Sequence, residues 1–467
     1  MKKLIKLLTI TLALITLTAC SILDNLIDGS DGRSFAETRA DFTTTLTQQN
    51  NNQNPIPTPP EGVFELVHYP SEVGYLAAFV SPDPGDGQLH PLMIWIVGGW
   101  NYGISDLPWS YPEWDNDQTG SAFREAGILM MYPSFRGANG NPGYFETLYG
   151  DINDILAALE FAAALPYVDP NRVYLGGHST GGTRVLLASA LTDAFRATFS
   201  FGPVADIGNH NRAQFTFDLN DREERRMRSP IHWMGDISSP TFIFEGAGGG
   251  ASTAADVRRL GEASDNVDVH TFIIEGGDHF DILAPVTGLV AQKILQDTGA
   301  SVNITLTDSQ IQTAMNQTSP SSPQPIMLPY RNEDVGISFL RPVTWHGHPA
   351  GEEARFIYMA DFNDDNFWTA SSMLVEMYLA DGLLSAEQLE EILGLDPSEH
   401  ILREGQINNH PAYIWEGILD YGDLFFSKVV IAQYGERLLI LEFFVSELYI
   451  EPSRIMFERV VDSLRFE

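Results

Sequence analysis

From Gly62 to about residue 298 short apolar runs alternate with amphipathic stretches, and this alternation limits the possible folds more than any other feature of the chain. EGVFELVHYP and VGYLAAFVSP alternate apolar and polar residues as half-buried strands do. HPLMIWIVGGW is a continuous apolar run ending in glycines, the pattern of a strand buried on both faces. SAFREAGILMMYPSFRG predicts a helix and then a strand, YGDINDILAALEFAAAL an amphipathic helix, NRVYLGG a strand and TRVLLASAL a helix. ATFSFGPV, SSPTFIFEG and DVHTFIIEGG predict three more strands, with the helix AADVRRLGEA before the last. Helices placed regularly between strands make neighbouring strands parallel, because a crossover must carry the chain back to the same end of the sheet. The expected fold class is therefore α/β: a doubly wound, mostly parallel sheet over residues 61–298, with helices on both faces.

A chain of 467 residues is longer than one hydrophobic core usually organises, so a second domain is expected. Residues 299–326 are rich in Ser, Thr, Gln and Pro and have little to bury, which predicts an interdomain linker. Beyond them, VGISFLRPVTW, HPAYIWEGILD, LFFSKVVIAQYG and RLLILEFFVS read as strands, the last three at hairpin spacing. SAEQLEEILGL and EPSRIMFERVVDSLRF read as helices, so residues 327–467 predict an antiparallel α+β domain.

At the other end, MKKLIKLLTITLALITLTAC has a basic start (Lys2, Lys3, Lys6) and an apolar core too short to span a bilayer, as secretory signals have. Its last four residues, Leu17-Thr18-Ala19-Cys20, resemble a bacterial lipobox. That resemblance implies cleavage before Cys20, lipidation of Cys20, and an exported protein held at the cell membrane or outer membrane by its lipid chains. Ser21, in place of an aspartate, points to the outer membrane in a two-membrane bacterium. Cys20 is the only cysteine, so no disulfide forms within the chain. Residues 21–60, which include TTTLTQQNNNQNPIPTPP, have no apolar period and predict a flexible tether. The net charge of −35 repels phosphate backbones and argues against a nucleic-acid partner.

The candidate chemistry centres on Gly177-His178-Ser179-Thr180-Gly181. A serine hydroxyl is a weak nucleophile until a base reaches it and the backbone holds it out sharply. Here it stands between a predicted strand and a predicted helix, with glycines two residues to either side, as a nucleophile elbow requires. Several blocks then resemble α/β-hydrolases of the prolyl oligopeptidase type: YPSFRGANG, YGDINDILAALEFAAALPYVDPNRVYLGGHSTGG, RSPIHWMGDISSPTFIFEG and EGGDHF. The family's β-propeller has no counterpart in the roughly 40 polar residues before the domain.

That resemblance implies a serine hydrolase needing no cofactor or metal, with an ester or peptide bond in a small-molecule or peptide substrate as its target. It implies His279, after the last predicted strand, as the base, and the backbone amides of Thr180 and Gly99 as the oxyanion donors. Val97 stands where the family shows a histidine, which does not affect a backbone donor. His178 is expected to pack at the elbow. The acid is open: the position for the family's aspartate is Gly248 or Gly249. Glu245, at the end of the seventh strand, is the expected substitute, Asp206 after the sixth strand competes, and a site without an acid is the third possibility. The alternative function is a hydrolase-fold binding protein impaired by loss of that acid. In a further alternative the C-terminal domain is the working part and the hydrolase a scaffold. The C-terminal region resembles PsbP-like domains, which implies binding to an unknown partner rather than chemistry. Its His346 and His348 are expected in a solvated loop and are too few for a metal site.

Overall fold

The computed structural model describes residues 32–316, apart from 101, 110–115, 211–213 and 249–253, and most of 327–466. Cys20 and the rest of the signal lie outside the described residues. The first region is built on eight strands: β1 (Glu65–Ser71), β2 (Gly74–Val80), β3 (His90–Ile96), β4 (Leu129–Pro133), β5 (Val168–His178), β6 (Thr198–Phe201), β7 (Thr241–Gly246) and β8 (Val269–Ile274). They lie in the order β1-β2-β4-β3-β5-β6-β7-β8. β1 and β2 pair antiparallel, as do β2 and β4, and every later pair is parallel. This is the expected mostly parallel sheet.

Strand alternation divides the core in two. Leu92, Ile94 and Ile96 of β3 join one cluster, while Met93 and Trp95 join the other. The helices are α1 (Phe35–Asp41), α2 (Ser121–Glu125), α3 (Gly150–Ala163), α4 (Thr180–Ser189), the short α5 (Arg222–Arg226) and α6 (Ala254–Glu262), of which α1, α3, α4 and α6 contribute buried side chains to the first face. On the second lie Phe123 of α2 and the apolar side of α7 (Leu283–Gln296), followed by Ile311 of α8 (Asp308–Met315).

Both predicted linkers are corrected where they are described. Of the expected tether at 21–60, residues 34–60 are strapped onto the hydrolase unit. Ser34 caps α1 in a reciprocal capping box with Glu37. Phe35 is fully buried, stacks on Trp233 at 4.7 Å, and donates its amide to Asp236 at 2.8 Å. Further along, the Thr47 and Asn52 amides donate to the carbonyls of Thr216 and Gly137, and Asn50 accepts from Phe145. Polar residues that bury little apolar area read as free chain, yet here their backbone groups are paired with surface loops. Likewise the expected linker at 299–326 carries buried Ile304 and Ile311, and α8 is capped by a Thr307–Gln310 capping box. The packed unit therefore runs from about residue 34 to 316; 317–326 lie outside the described residues.

The second region is antiparallel, as expected. β9 (Met327–Asn332), β10 (Ile337–Pro342) and the terminal β18 (Arg465–Phe466) form a three-stranded sheet. β11 (Trp345–Ala350), β12 (Phe356–Asp361), β13 (Ser372–Leu379), β14 (Arg403–Ile407), β15 (His410–Asp420), β16 (Leu424–Tyr434) and β17 (Arg437–Ser446) form a second, ordered β11-β12-β13-β17-β16-β15-β14. Phe457 and Val460 of α9 (Ile450–Ser463) pack with Val430, Leu441 and Phe443. The predicted helix SAEQLEEILGL falls mostly outside the described residues. His346 and His348 are not in a loop: both lie in β11, opposite Ala360 and Tyr358.

Candidate active site

β5 runs into Ser179, and α4 starts at the next residue. Ser179 has φ 56° and ψ −119°, a conformation that side-chain-bearing residues seldom adopt and that costs on the order of 1–3 kcal/mol. Three hydrogen bonds hold it there: its amide donates to the Phe201 carbonyl of β6 at 2.7 Å, and its carbonyl accepts from the Thr183 amide at 3.0 Å and hydroxyl at 3.3 Å. The turn is this tight because Gly181 lies against the end of β3, where a Cβ would collide with the Ile96 carbonyl.

His279 lies in the loop after β8 and is buried. Its Nδ1 is 3.2 Å from Glu245 Oε2, and its Nε2 has no hydrogen-bond partner among the described residues. With the Nδ1 proton directed at the carboxylate, Nε2 carries the lone pair that a general base needs. Glu245 is fully buried, and its other oxygen accepts from the Gly246 amide at 3.0 Å. The histidine loop lies directly on the end of β7: Ala247 donates to Ile274, and Gly248 to Gly277, both at 2.9 Å. The loop therefore sets His279 over the last residues of the strand and not over the turn beyond it. This is why a glutamate on the strand meets the imidazole while the expected aspartate position at Gly248 does not.

Asp206 is not brought to His279, which corrects its candidacy as the acid. It accepts from the Gly208 amide at 2.8 Å, capping a short turn, and pairs with Arg225 at 2.6 Å. Burial opposes its ionisation, but the Arg225 hydrogen bonds and the Gly208 amide outweigh this and hold its carboxyl below the usual range. A neighbouring residue was missed in the sequence. Gly202, directly after β6 with φ 59°, faces the imidazole so closely that a Cβ would come within 2.6 Å of His279 Nδ1. The only signal was a glycine directly after a buried strand.

His178 packs at the elbow, as expected. Its ring lies 4.6 Å from that of His279, and Nε2 donates to the His279 carbonyl at 3.1 Å. Burial first, and the charge of His279 second, lower its pKa to about 3, so it stays neutral. The two expected oxyanion residues are also brought together. Thr180 is the first residue of α4, where a backbone amide has no acceptor within the helix. Its hydroxyl donates to the Gly99 carbonyl at 2.5 Å, tying the turn after β3 to the start of α4. Gly98 lies against the serine, with room for no more than a hydrogen at its Cα: a Cβ would be 3.1 Å from that of Ser179.

A family model described as the prolyl oligopeptidase family matches residues 114–246, a stretch that includes Ser179 and Glu245 and ends before His279. Over 81 residues the chain is 32% identical to the quorum-quenching protein AidA of Acinetobacter baumannii, covering 17% of this chain and 27% of that protein. Among solved structures, a puromycin-hydrolysing peptidase of Mycobacterium tuberculosis is 19% identical, with a TM-score of 0.42 over 52% of this chain and 40% of that one. The esterase Est1E of Butyrivibrio proteoclasticus, solved with ferulic acid, is 20% identical, with a TM-score of 0.39 over 49% of this chain and 98% of that one. The chain thus spans about a quarter of the curated relative and two fifths of the peptidase. Strand order, nucleophile turn and matched segment coincide in one unit: residues 34–316 have an α/β-hydrolase fold, and 114–246 within it match the prolyl oligopeptidase family model.

Proposed function

We propose that this chain is an exported serine hydrolase that cleaves an ester or peptide bond through Ser179, with His279 as general base and Glu245 as the acid that orients it. The observation that carries this reading is the His279 imidazole, hydrogen-bonded to Glu245 on Nδ1 and, among the described residues, unpartnered on Nε2, beside the strained Ser179 turn. In this scheme Ser179 Oγ attacks the substrate carbonyl while His279 Nε2 takes its proton. The amides of Gly99 and Thr180 stabilise the oxyanion, and Glu245 the imidazolium. Collapse expels the alcohol or amine, which receives the proton from His279, and water repeats the cycle on the acyl-enzyme. The rival reading, a binding protein lacking an acid, rests on the glycines at 248–250; the Glu245–His279 contact at 3.2 Å favours the hydrolytic reading over it. Export and a lipid anchor at Cys20 rest on the N-terminal sequence. Residues 327–467 are assigned a binding or spacer role toward a partner.

The test is covalent labelling by a fluorophosphonate together with turnover of short-chain activated esters. Ser179→Ala should abolish the label and lower kcat by about a millionfold, without loss of folding. A folded wild-type protein inert to both reagents would contradict the hydrolytic reading.

A further inference from the structure

The Gly98–Gly99 turn has a second side. Behind it lies a cavity of about 170 Å³, far above the roughly 10–15 Å³ that one water needs. Its wall is mostly apolar, with Trp95, Ile104, Tyr132 and Phe135, and Arg184 completes it. Arg184 is on α4, five residues after Ser179, which is about 7.5 Å along a helix. Only 1% of it is exposed. Three contacts fix its guanidinium: Nε donates to Asp151 at 2.8 Å, Nη1 approaches the Thr180 hydroxyl at 3.3 Å, and the plane lies over Tyr102 at 5.0 Å. Among the described residues Nη2 has no hydrogen-bond partner, and Tyr102 lines the same cavity.

A buried guanidinium N–H without an acceptor is costly, and native structures seldom leave one so unless something else supplies the acceptor. The kind of acceptor follows from charge. Asp151 is fully buried and already compensates the Arg184 cation, so the open N–H calls for a neutral oxygen and not a second carboxylate. The position follows from the Arg184–Thr180–Gly99 chain of contacts, which joins the guanidinium to both oxyanion residues. Gly98 and Gly99 line the cavity, Gly98 lies against Ser179 and Gly99 accepts from Thr180, so the cavity borders the serine at that turn.

We propose that this cavity receives the acyl side of the substrate, and that Arg184 Nη2 binds a ketone or amide oxygen carried on that acyl chain. The assignment rests on the hydrolytic reading of Ser179. It is tested by comparing kcat/KM of the full chain for 4-nitrophenyl pentanoate, 4-oxopentanoate and the succinate monoester. The 4-oxo ester should be preferred over the pentanoate by about tenfold, the worth of one well-placed hydrogen bond. In Arg184→Lys, which keeps a cation for Asp151 but loses the fork, that ratio should fall to about one. Should Arg184→Lys not fold, Leu107→Trp at the partly exposed side of the cavity carries the same expectation by filling it. Equal kcat/KM for the two esters in the wild type, as when water satisfies Nη2, overturns the proposal and leaves the hydrolytic reading standing. A preference for the succinate monoester overturns the neutral acceptor. Turnover of none of the three, with no fluorophosphonate label, removes the hydrolytic reading and this proposal together.

Discussion

Glu245, near the end of β7, and Asp206, after β6, belong to neighbouring strands of one sheet, whose mutual pairing ends at Phe244 and Phe201. Both carboxylates have a positively charged or protonatable partner, but the partners differ in kind. Asp206 is tied to a permanent cation, Arg225, and to the Ser229 hydroxyl. This bonding continues into a scaffold: the Trp233 indole donates to the carbonyl of Arg226, whose guanidinium lies 4.1 Å over the same ring. Phe35 of the N-terminal strap stacks on Trp233 in turn. Glu245 meets an imidazole whose second nitrogen has no partner among the described residues. One strand end therefore organises structure, and the next organises a proton acceptor. What separates them is which strand end the histidine loop lies on, and not which loop holds an aspartate.

Changes near Glu245 should cost turnover, and changes near Asp206 should cost stability. Apart from the serine and Glu245 itself, the largest effect is expected at Gly202, which follows β6 and lies against the His279 imidazole. A methyl there meets His279, so Gly202→Ala should lower kcat/KM by about a hundredfold or more. An unchanged kcat/KM would show that the imidazole is not held where the comparison needs it. On the scaffold side, Phe35→Ala removes a fully buried ring and should cost about 3–5 kcal/mol in urea unfolding. The kcat of the protein that remains folded should stay within about threefold of wild type. A large fall in kcat would join the strap to the chemistry and break the division.

A smaller effect is expected from His178. Below the ordinary histidine value of 6.5 the unfolded chain binds a proton at this residue, while the folded chain does not until about pH 3. Stability should therefore fall as pH drops through that window, by up to about 1.4 kcal/mol per pH unit. Urea unfolding at pH 7, 6 and 5 should show a shallower decline in His178→Gln than in wild type. Equal slopes would mean that the ring takes up protons in the folded state.

Much of this division was legible in the sequence, and the illegible parts share a cause. Ser179 could be read because its requirements are local: a strand, a tight turn with glycines and a helix within a few residues. His279 followed from chain order. Gly202 could not be read, because its role depends on a histidine 77 residues further on. The choice between Glu245 and Asp206 turned on hydrogen bonds from Ala247 and Gly248 to the histidine loop, which no spacing displays. The two packed segments taken for linkers did leave a trace. Ser34-Phe35-Ala36-Glu37 and Thr307-Asp308-Ser309-Gln310 both fit the capping-box pattern, a helix start that polar composition concealed.

The most direct test of the central claim, that Glu245 orients His279, is kcat/KM of Glu245→Gln set beside that of Asp206→Asn. The glutamine keeps the volume of the side chain but not its charge, and kcat/KM should fall on the order of ten thousandfold. Asparagine retains the cap at Asp206 and gives up only a partly exposed ion pair, so its activity should stay within about threefold and its stability within about 1 kcal/mol. Near wild-type activity in Glu245→Gln with a loss of several orders of magnitude in Asp206→Asn would contradict the account.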